Sequence, residues 1–134
     1  MRRYLPQNLD LALLVLRLAL AAILLYHGLP KVMNFGGTVA GFQSMHVPAP
    51  TLTAAFAALA EVIGGLLILF GLAVDIAGLL VVIDMLGAIV TVQLPKGFGG
   101  WEHEFSILAM ALALALAGPG RYSVGVKGRV TDRR

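Results

Sequence analysis

Four long apolar runs dominate the sequence and constrain its fold more than any other feature. They cover residues 11–29, 52–72, 76–94 and 104–117, and the last run is expected to begin a few residues earlier. The first three reach the ~20 residues that a helix needs to cross ~30 Å of hydrocarbon. The runs therefore predict an all-α membrane protein of one domain. Its four transmembrane helices, at about 11–29, 52–72, 76–94 and 102–118, are expected to form an antiparallel bundle.

Charged residues are scarce and mostly lie outside these runs. They make up 13% of the chain, against about 25% in a typical soluble domain. Most of the ten basic residues lie near the two ends of the chain, at Arg2, Arg3, Arg121, Lys127, Arg129, Arg133 and Arg134. A nucleic-acid surface would place basic residues throughout the fold, so no nucleic-acid partner is expected. The positive-inside rule predicts that both termini, including a basic tail at 119–134, are cytoplasmic.

The connection between the first two runs is long enough to hold structure of its own. Its apolar residues recur at helical spacing, at Phe35, Val39, Phe42 and Met45. This spacing predicts a short amphipathic helix over 35–46 on the outer face of the membrane, with an irregular loop as the alternative. A cleaved signal peptide is the rival interpretation of the first run, although Arg17 interrupts the run and its apolar residues continue past Ala21.

Three ionisable residues, Arg17, Glu61 and Asp84, lie inside the apolar runs. A charge at the centre of a bilayer costs about 2.5–3.5 kcal/mol on insertion scales, so each of them needs a partner. Glu61 precedes the turn at Ala73, and Asp84 follows it, by nearly equal distances, which places both carboxyls at one level ~17 Å from that turn. Small residues share their helix faces, so both carboxyls are expected to point into the bundle.

The charge balance at this level is one cation against two carboxyls. We expect Arg17, which lies ~10 Å deep, to pair with Glu61. Asp84 is then expected to keep its proton near neutral pH, because two adjacent carboxylates repel each other in a low dielectric. The cluster either fixes the register of the helices or forms a buried site that handles protons or binds a polar ligand.

A second polar cluster is expected near the outer ends of the helices. His27 and Lys31 lie one turn apart in the first run, and His103 and Glu104 begin the fourth. Histidines beside carboxylates can relay protons or bind metal, and ordinary hydrogen bonding at the membrane interface is the simpler role. No two histidines lie one helical turn apart or face each other at mid-span, so neither metal nor haem is expected. The chain has no cysteine, P-loop, dinucleotide fingerprint or nucleophile elbow, which excludes thiol chemistry and gives no sign of a hydrolase or nucleotide enzyme.

Several segments carry a resemblance to a known family. They are RLALAAILLYHGLPK at 17–31, LAEVIGGLLILFG at 59–71, GFGGWEHE at 97–104, and Gly118-Pro119-Gly120 followed by Tyr122-Ser123. In this order and spacing, over about 16–124, they resemble the DoxX family of small bacterial inner-membrane proteins. The resemblance implies four membrane helices, kinship with the small membrane subunit of thiosulfate:quinone oxidoreductases, and association with redox-defence enzymes at the membrane. The family's motif residues correspond to Arg17, His27, Gly28, Lys31, Glu61 and Glu104, whereas Asp84 matches no family motif.

Two classes of function follow from these candidates, which are Arg17, His27, Lys31, Glu61, Asp84, His103 and Glu104. In the first class, the protein is an accessory subunit of an oxidoreductase that binds a quinone between its helices and receives electrons from a soluble or membrane partner. His27, Arg17 and a protonated carboxyl would supply hydrogen bonds and protons. In the second class, it is a non-catalytic scaffold or a small proton-coupled transporter. Four helices are few for transport, so a homo-oligomer is expected.

Overall fold

The computed structural model describes residues 4–124, and this part of the chain is helical and contains no strand. Its five α-helices are α1 (Leu9–Met33), α2 (Phe35–Ser44), α3 (Pro50–Phe70), α4 (Val74–Ala88) and α5 (Phe98–Ala117). α4 continues through a π-helical turn at Ile89–Gln93 and a 3-10 turn at Leu94–Lys96. The predictions for Arg2, Arg3 and the part of the basic tail from residue 125 onward concern residues outside the described range.

Three segments of the described chain are long and apolar enough to cross a membrane: Leu9–Met33, Pro50–Phe70 and Val74–Lys96. The prediction of an all-α membrane protein is therefore confirmed. The first segment is longer than the predicted span of about 11–29, because α1 begins at Leu9 and continues through Pro30 to Met33. Proline removes one backbone donor, and the carbonyl that loses this donor belongs to Tyr26, whose side chain is on the surface.

α2 occupies the first long connection, where the sequence left a helix and an irregular loop open. It contacts both α1 and α3. None of its residues is fully buried, although Val39 and Phe42 are partly covered. Asn34 begins this helix by accepting a hydrogen bond from the backbone N–H of Gly37 through its side chain, at 3.2 Å.

The longer helices pack as two pairs. α1 lies against α3, α4 lies against α5, and the contact between α3 and α4 joins the pairs. Glycines permit the closest approaches: an added Cβ at Gly28 would lie 2.7 Å from the Glu61 Cβ, and one at Gly78 would lie 2.6 Å from the Ala111 carbonyl oxygen. The core between the pairs consists of apolar side chains, among them Leu20, Leu24, Ile68, Val81, Ala111 and Leu114.

The two ends of the packed helices are built differently. One end, called here the Gly71 side, holds the short turn between α3 and α4 and the residues that follow α5. Gly71 has a positive φ of 72°, and the N–H groups of Gly71 and Leu72 donate to the carbonyls of Ile68 and Leu67, which ends α3. The opposite end, called here the α2 side, holds α2 and the connection from α4 to α5.

Candidate functional site

A cavity of about 380 Å³ lies among α1, α3, α4 and α5 on the α2 side. Most of its wall is apolar and includes Ile23, Phe56 and Ile107. Polar side chains also line it, at His27, Lys31, Glu61, Asp84, His103 and Glu104. These are all of the candidates selected from the sequence except Arg17. Packing therefore gathers residues from four helices, distant in the chain, around one pocket.

Glu61 lies halfway along α3 and is 5% exposed. Its partner is Lys31 of α1, whose Nζ lies 2.7 Å from Glu61 Oε2. At this distance the ammonium group neutralises the carboxylate and satisfies Oε2 through a charge-assisted contact. Lys31 also donates to the carbonyl of His27 at 3.1 Å, which holds the ammonium group at the wall of the cavity.

Asp84 reaches the same cavity from α4 and is 8% exposed. Asp84 and Glu61 thus line the same cavity, in agreement with their nearly equal distances from the Ala73 turn. Two further carboxylate oxygens at the cavity, Asp84 Oδ2 and Glu104 Oε2, are buried and have no hydrogen-bond partner in the described part of the chain. A buried acceptor without a donor costs about 1–3 kcal/mol, so these oxygens favour a proton or a ligand that donates hydrogen bonds.

Two histidines lie together at the margin of the cavity. The rings of His27 on α1 and His103 on α5 have centroids 5.1 Å apart and are tilted by 58°. Both residues are exposed in the isolated chain. A neutral imidazole carries one donor and one acceptor, so this pair can both donate to a ligand and accept from it.

The π-helical turn also contributes to the site, and sequence reasoning missed this contribution. Gln93 Nε2 donates to Glu104 Oε1 at 3.3 Å and so ties the turn to α5. Thr91 lines the cavity as well. Both residues lie within the apolar run through 76–94, and hydropathy does not distinguish a π-turn from an α-helix. Such turns are nevertheless frequent at functional sites.

Arg17 lies apart from the cavity, on the Gly71 side, and is 1% exposed. Its guanidinium donates to the carbonyls of Ile68 and Leu69 at 2.9 and 2.7 Å. It also donates to the carbonyls of Pro119 and Tyr122 at 3.1 and 2.7 Å. Arg17 therefore joins three parts of the chain: α1, the end of α3 and the segment that follows α5.

The predicted ion pair between Arg17 and Glu61 is therefore wrong. The last carbonyls of a helix have no intrahelical donor and carry the negative end of the helix dipole, so they can satisfy a guanidinium beside them. Glu61 lies about two turns before these carbonyls in α3, and its partner is Lys31. Lys31 was a candidate, but its role as the counter-charge was missed.

Among residues 4–124, no group of three or more His, Asp or Glu side chains is arranged to hold a metal ion. The cavity instead combines three carboxyl groups, one ammonium group and two imidazoles within a mostly apolar wall. Such a set can orient a small polar group through hydrogen bonds of both senses and can hold protons beside it.

Comparison with known proteins gives one family and several relatives. The DoxX family model matches residues 12–94. "Putative oxidoreductase CatD" of Bacillus subtilis (strain 168) is 36% identical, over 84% of this chain and 83% of its own length. "Inner membrane protein YphA" of Escherichia coli (strain K12) is 32% identical, over 84% and 86%. "Uncharacterized membrane protein Rv3486" of Mycobacterium tuberculosis (strain ATCC 25618 / H37Rv) is 30% identical, over 84% and 78%. No solved structure matches the chain significantly.

Proposed function

The chain belongs to the DoxX family of membrane proteins, and on that premise we propose that the cavity on its α2 side binds a quinone for a membrane oxidoreductase. One observation carries the proposal: Asp84 and Glu104 line an apolar-walled cavity that also holds ammonium and imidazole groups, and each has a buried carboxylate oxygen without a hydrogen-bond partner among residues 4–124. Few ligands match all of these groups, since the ligand must be apolar in bulk and able both to accept and to donate hydrogen bonds.

A quinone meets these requirements in both of its stable forms. The carbonyl oxygens of the oxidised ring accept hydrogen bonds, and Lys31, His27 and His103 can donate them. The hydroxyls of the reduced ring donate hydrogen bonds, and the carboxylate oxygens of Glu61, Asp84 and Glu104, which line the cavity, can accept them. Reduction adds two electrons and two protons to the ring, and carboxyl groups beside it can supply the protons.

The electrons are proposed to come from a partner redox enzyme, which makes this chain an accessory subunit rather than a complete enzyme. The name of the Bacillus subtilis relative, which contains the word oxidoreductase, supports a redox role. We propose that this partner is a soluble or membrane-bound enzyme and that the chain forms a homo-oligomer. The name of the Escherichia coli relative, "Inner membrane protein YphA", supports our proposal that this chain lies in a bacterial inner membrane.

The alternative is a non-catalytic scaffold or a small proton-coupled transporter. A transporter needs a route to both sides of the membrane. Here the buried polar groups of the cavity lie on the α2 side, and tightly packed core residues such as Ile68, Val74 and Ala77 fill the interior toward the Gly71 side. This one-sided arrangement favours a ligand site over a transport path.

We further propose that α5 is a fourth membrane span and completes a four-helix bundle. Its 20 residues extend ~30 Å, and Leu114 and Ala111 are buried against the other helices while Leu112 and Leu116 face outward. With four spans, the positive-inside rule places both termini in the cytoplasm and α2 outside. A membrane-impermeant maleimide applied to intact cells should then label Ser44→Cys on α2 but not Asp75→Cys on the opposite side, and the reverse pattern would contradict this topology.

Quinone binding can be followed through Trp101, the one tryptophan of the chain. It lies in the same turn of α5 as His103 and Glu104, which line the cavity. Purified protein in quinone-free lipid nanodiscs is titrated with a quinone, and a quinone seated in the cavity is expected to quench Trp101 saturably. Lipid extracted from protein purified directly from membranes should also contain quinone in proportion to the protein.

Two matched variants make the titration specific. Glu104→Gln removes a cavity carboxylate and is expected to weaken binding by about tenfold, the value of one hydrogen bond to a charged group. Glu102→Gln makes the same change at an exposed residue outside the cavity wall and should leave the titration unchanged. Non-saturating quenching, or equal effects of both variants, would argue against the quinone site.

A further inference from the structure

Residues that line the cavity on α3 and α4 are also exposed, and we infer that the cavity opens between these two helices and that this opening holds the apolar chain of a tailed quinone. The inference rests on the proposed quinone site and adds the class of its ligand. That ligand is an amphiphile whose ring lies inside the cavity and whose long chain extends into the membrane.

The frame of the opening is apolar. Phe56 of α3 and Ile83 and Gly87 of α4 line the cavity and are also exposed on the outer surface, with 37% of Phe56 and 55% of Ile83 accessible. In a membrane this surface contacts lipid chains. The other flank of the cavity, between α1 and α5, is marked by the His27 and His103 rings and is therefore polar. An apolar chain thus has a more favourable exit between α3 and α4 than between α1 and α5.

Gly87 sets the width of the opening. An added Cβ at this position would meet no atom within 4 Å, in contrast to Gly28 and Gly78, where neighbouring atoms leave no room. Neither close packing nor a positive φ requires glycine here. Glycine is the poorest helix former after proline, so its presence within α4 disfavours the helix without a packing reason. Its lack of a side chain leaves this part of the cavity wall open.

The polar groups of the cavity lie directly inside the opening. Asp84 precedes Gly87 by less than one helical turn and points inward, while Gly87 lies on the exposed side of α4. The π-helical turn begins two residues after Gly87, and the Thr91 hydroxyl donates to the Gly87 carbonyl at 2.6 Å. A ring held at Asp84 and Glu61 would therefore have its chain leave past Gly87. A phospholipid acyl chain has the same apolar chemistry and is the other source of such a chain.

The test compares a prenylated benzoquinone with the same ring lacking its chain, using Trp101 quenching in quinone-free nanodiscs. Gly87→Leu fills the opening and is expected to weaken binding of the prenylated quinone by about tenfold or more, the effect of losing two or more methylene contacts. Binding of the ring alone should be unchanged, because equilibrium affinity does not depend on the entry route. The retained ring binding also shows that the variant is folded. Gly99→Leu, in α5 outside the cavity and with open space at its Cβ, is the matched control.

The outcomes separate this inference from the function on which it rests. If neither quinone binds the unaltered protein, the proposed function fails, and the inference fails with it. If both quinones bind and Gly87→Leu weakens neither or weakens both equally, the quinone site stands and the tail opening is overturned. Mass spectrometry of lipids retained by the protein gives a further check. Loss of a bound phospholipid, with unchanged prenylquinone, would overturn the inference in favour of a lipid groove.

Discussion

Arg17→Lys tests whether the guanidinium joins α1 to the end of α3 and to the segment after α5. Arg17 makes four hydrogen bonds to backbone carbonyls, two on each of these partners. Lysine keeps one cation at this position, so the comparison tests the hydrogen-bonding geometry more than the presence of a charge. Its single ammonium group lacks the fork that reaches both partners, so two hydrogen bonds are expected to be lost. At about 1.5 kcal/mol or more for each bond to a charged donor, the free energy of unfolding should fall by about 3 kcal/mol.

The measurement is a reversible SDS titration in mixed micelles, followed by circular dichroism. Arg121→Lys serves as the control, because Arg121 is exposed and its contact with Asp10 is made by the backbone N–H, at 2.9 Å. The control is expected to change stability by less than about 0.5 kcal/mol. If Arg17→Lys is no more destabilising than Arg121→Lys, the four-carbonyl arrangement does not hold the helices together and the reasoning is refuted.

Two further predictions concern the contacts between helices. A double-mutant cycle of Lys31→Met and Glu61→Gln should give a coupling energy of about 1 kcal/mol in the same titration, whereas Arg17→Lys and Glu61→Gln should be additive; the opposite pattern would restore the pair that the structure excludes. Gly28→Ala and Gly78→Ala should each lower the free energy of unfolding by about 1–3 kcal/mol, because the added Cβ overlaps a neighbouring helix. Gly36→Ala, where the Cβ meets nothing, should cost no stability, and equal effects at all three glycines would contradict the close approaches.

Much of the site was visible in the sequence because charges inside apolar runs are rare and costly. Glu61 and Asp84 line the same cavity, as their nearly equal distances from the Ala73 turn predicted, since a tight turn between antiparallel helices converts sequence distance into depth. His27, Lys31, His103 and Glu104 were selected by their position near the helix ends, and all of them line one cavity with the two carboxyls. No sequence signal indicated Gln93, because its contact depends on a local change of helical pitch.

The pairing of the charges was beyond the sequence. Lys31 and Arg17 both lie on α1, and depth alone allowed either to approach Glu61. The close approach of α1 to α3 at Gly28 brings Lys31 to Glu61. Arg17 instead meets the carbonyls that end α3. Hydropathy indicates which face of a helix a charged residue lies on and how deep it lies in the membrane. Its ion-pair partner also depends on helix rotation, interhelical distance and the length of the side chain.

Hydropathy and sequence motifs are sufficient to identify this chain as a helical membrane protein and a member of the DoxX family. In a hydrocarbon environment the backbone must satisfy its own hydrogen bonds. A helix does this within a single segment, so long apolar runs are expected to be helical. The packing of the helices was needed to show which helices pair, that Lys31 neutralises Glu61, and that a cavity lies on the α2 side. Those outcomes depend on packing differences of an ångström or two at positions such as Gly28 and Gly78, which a linear pattern of hydropathy does not encode.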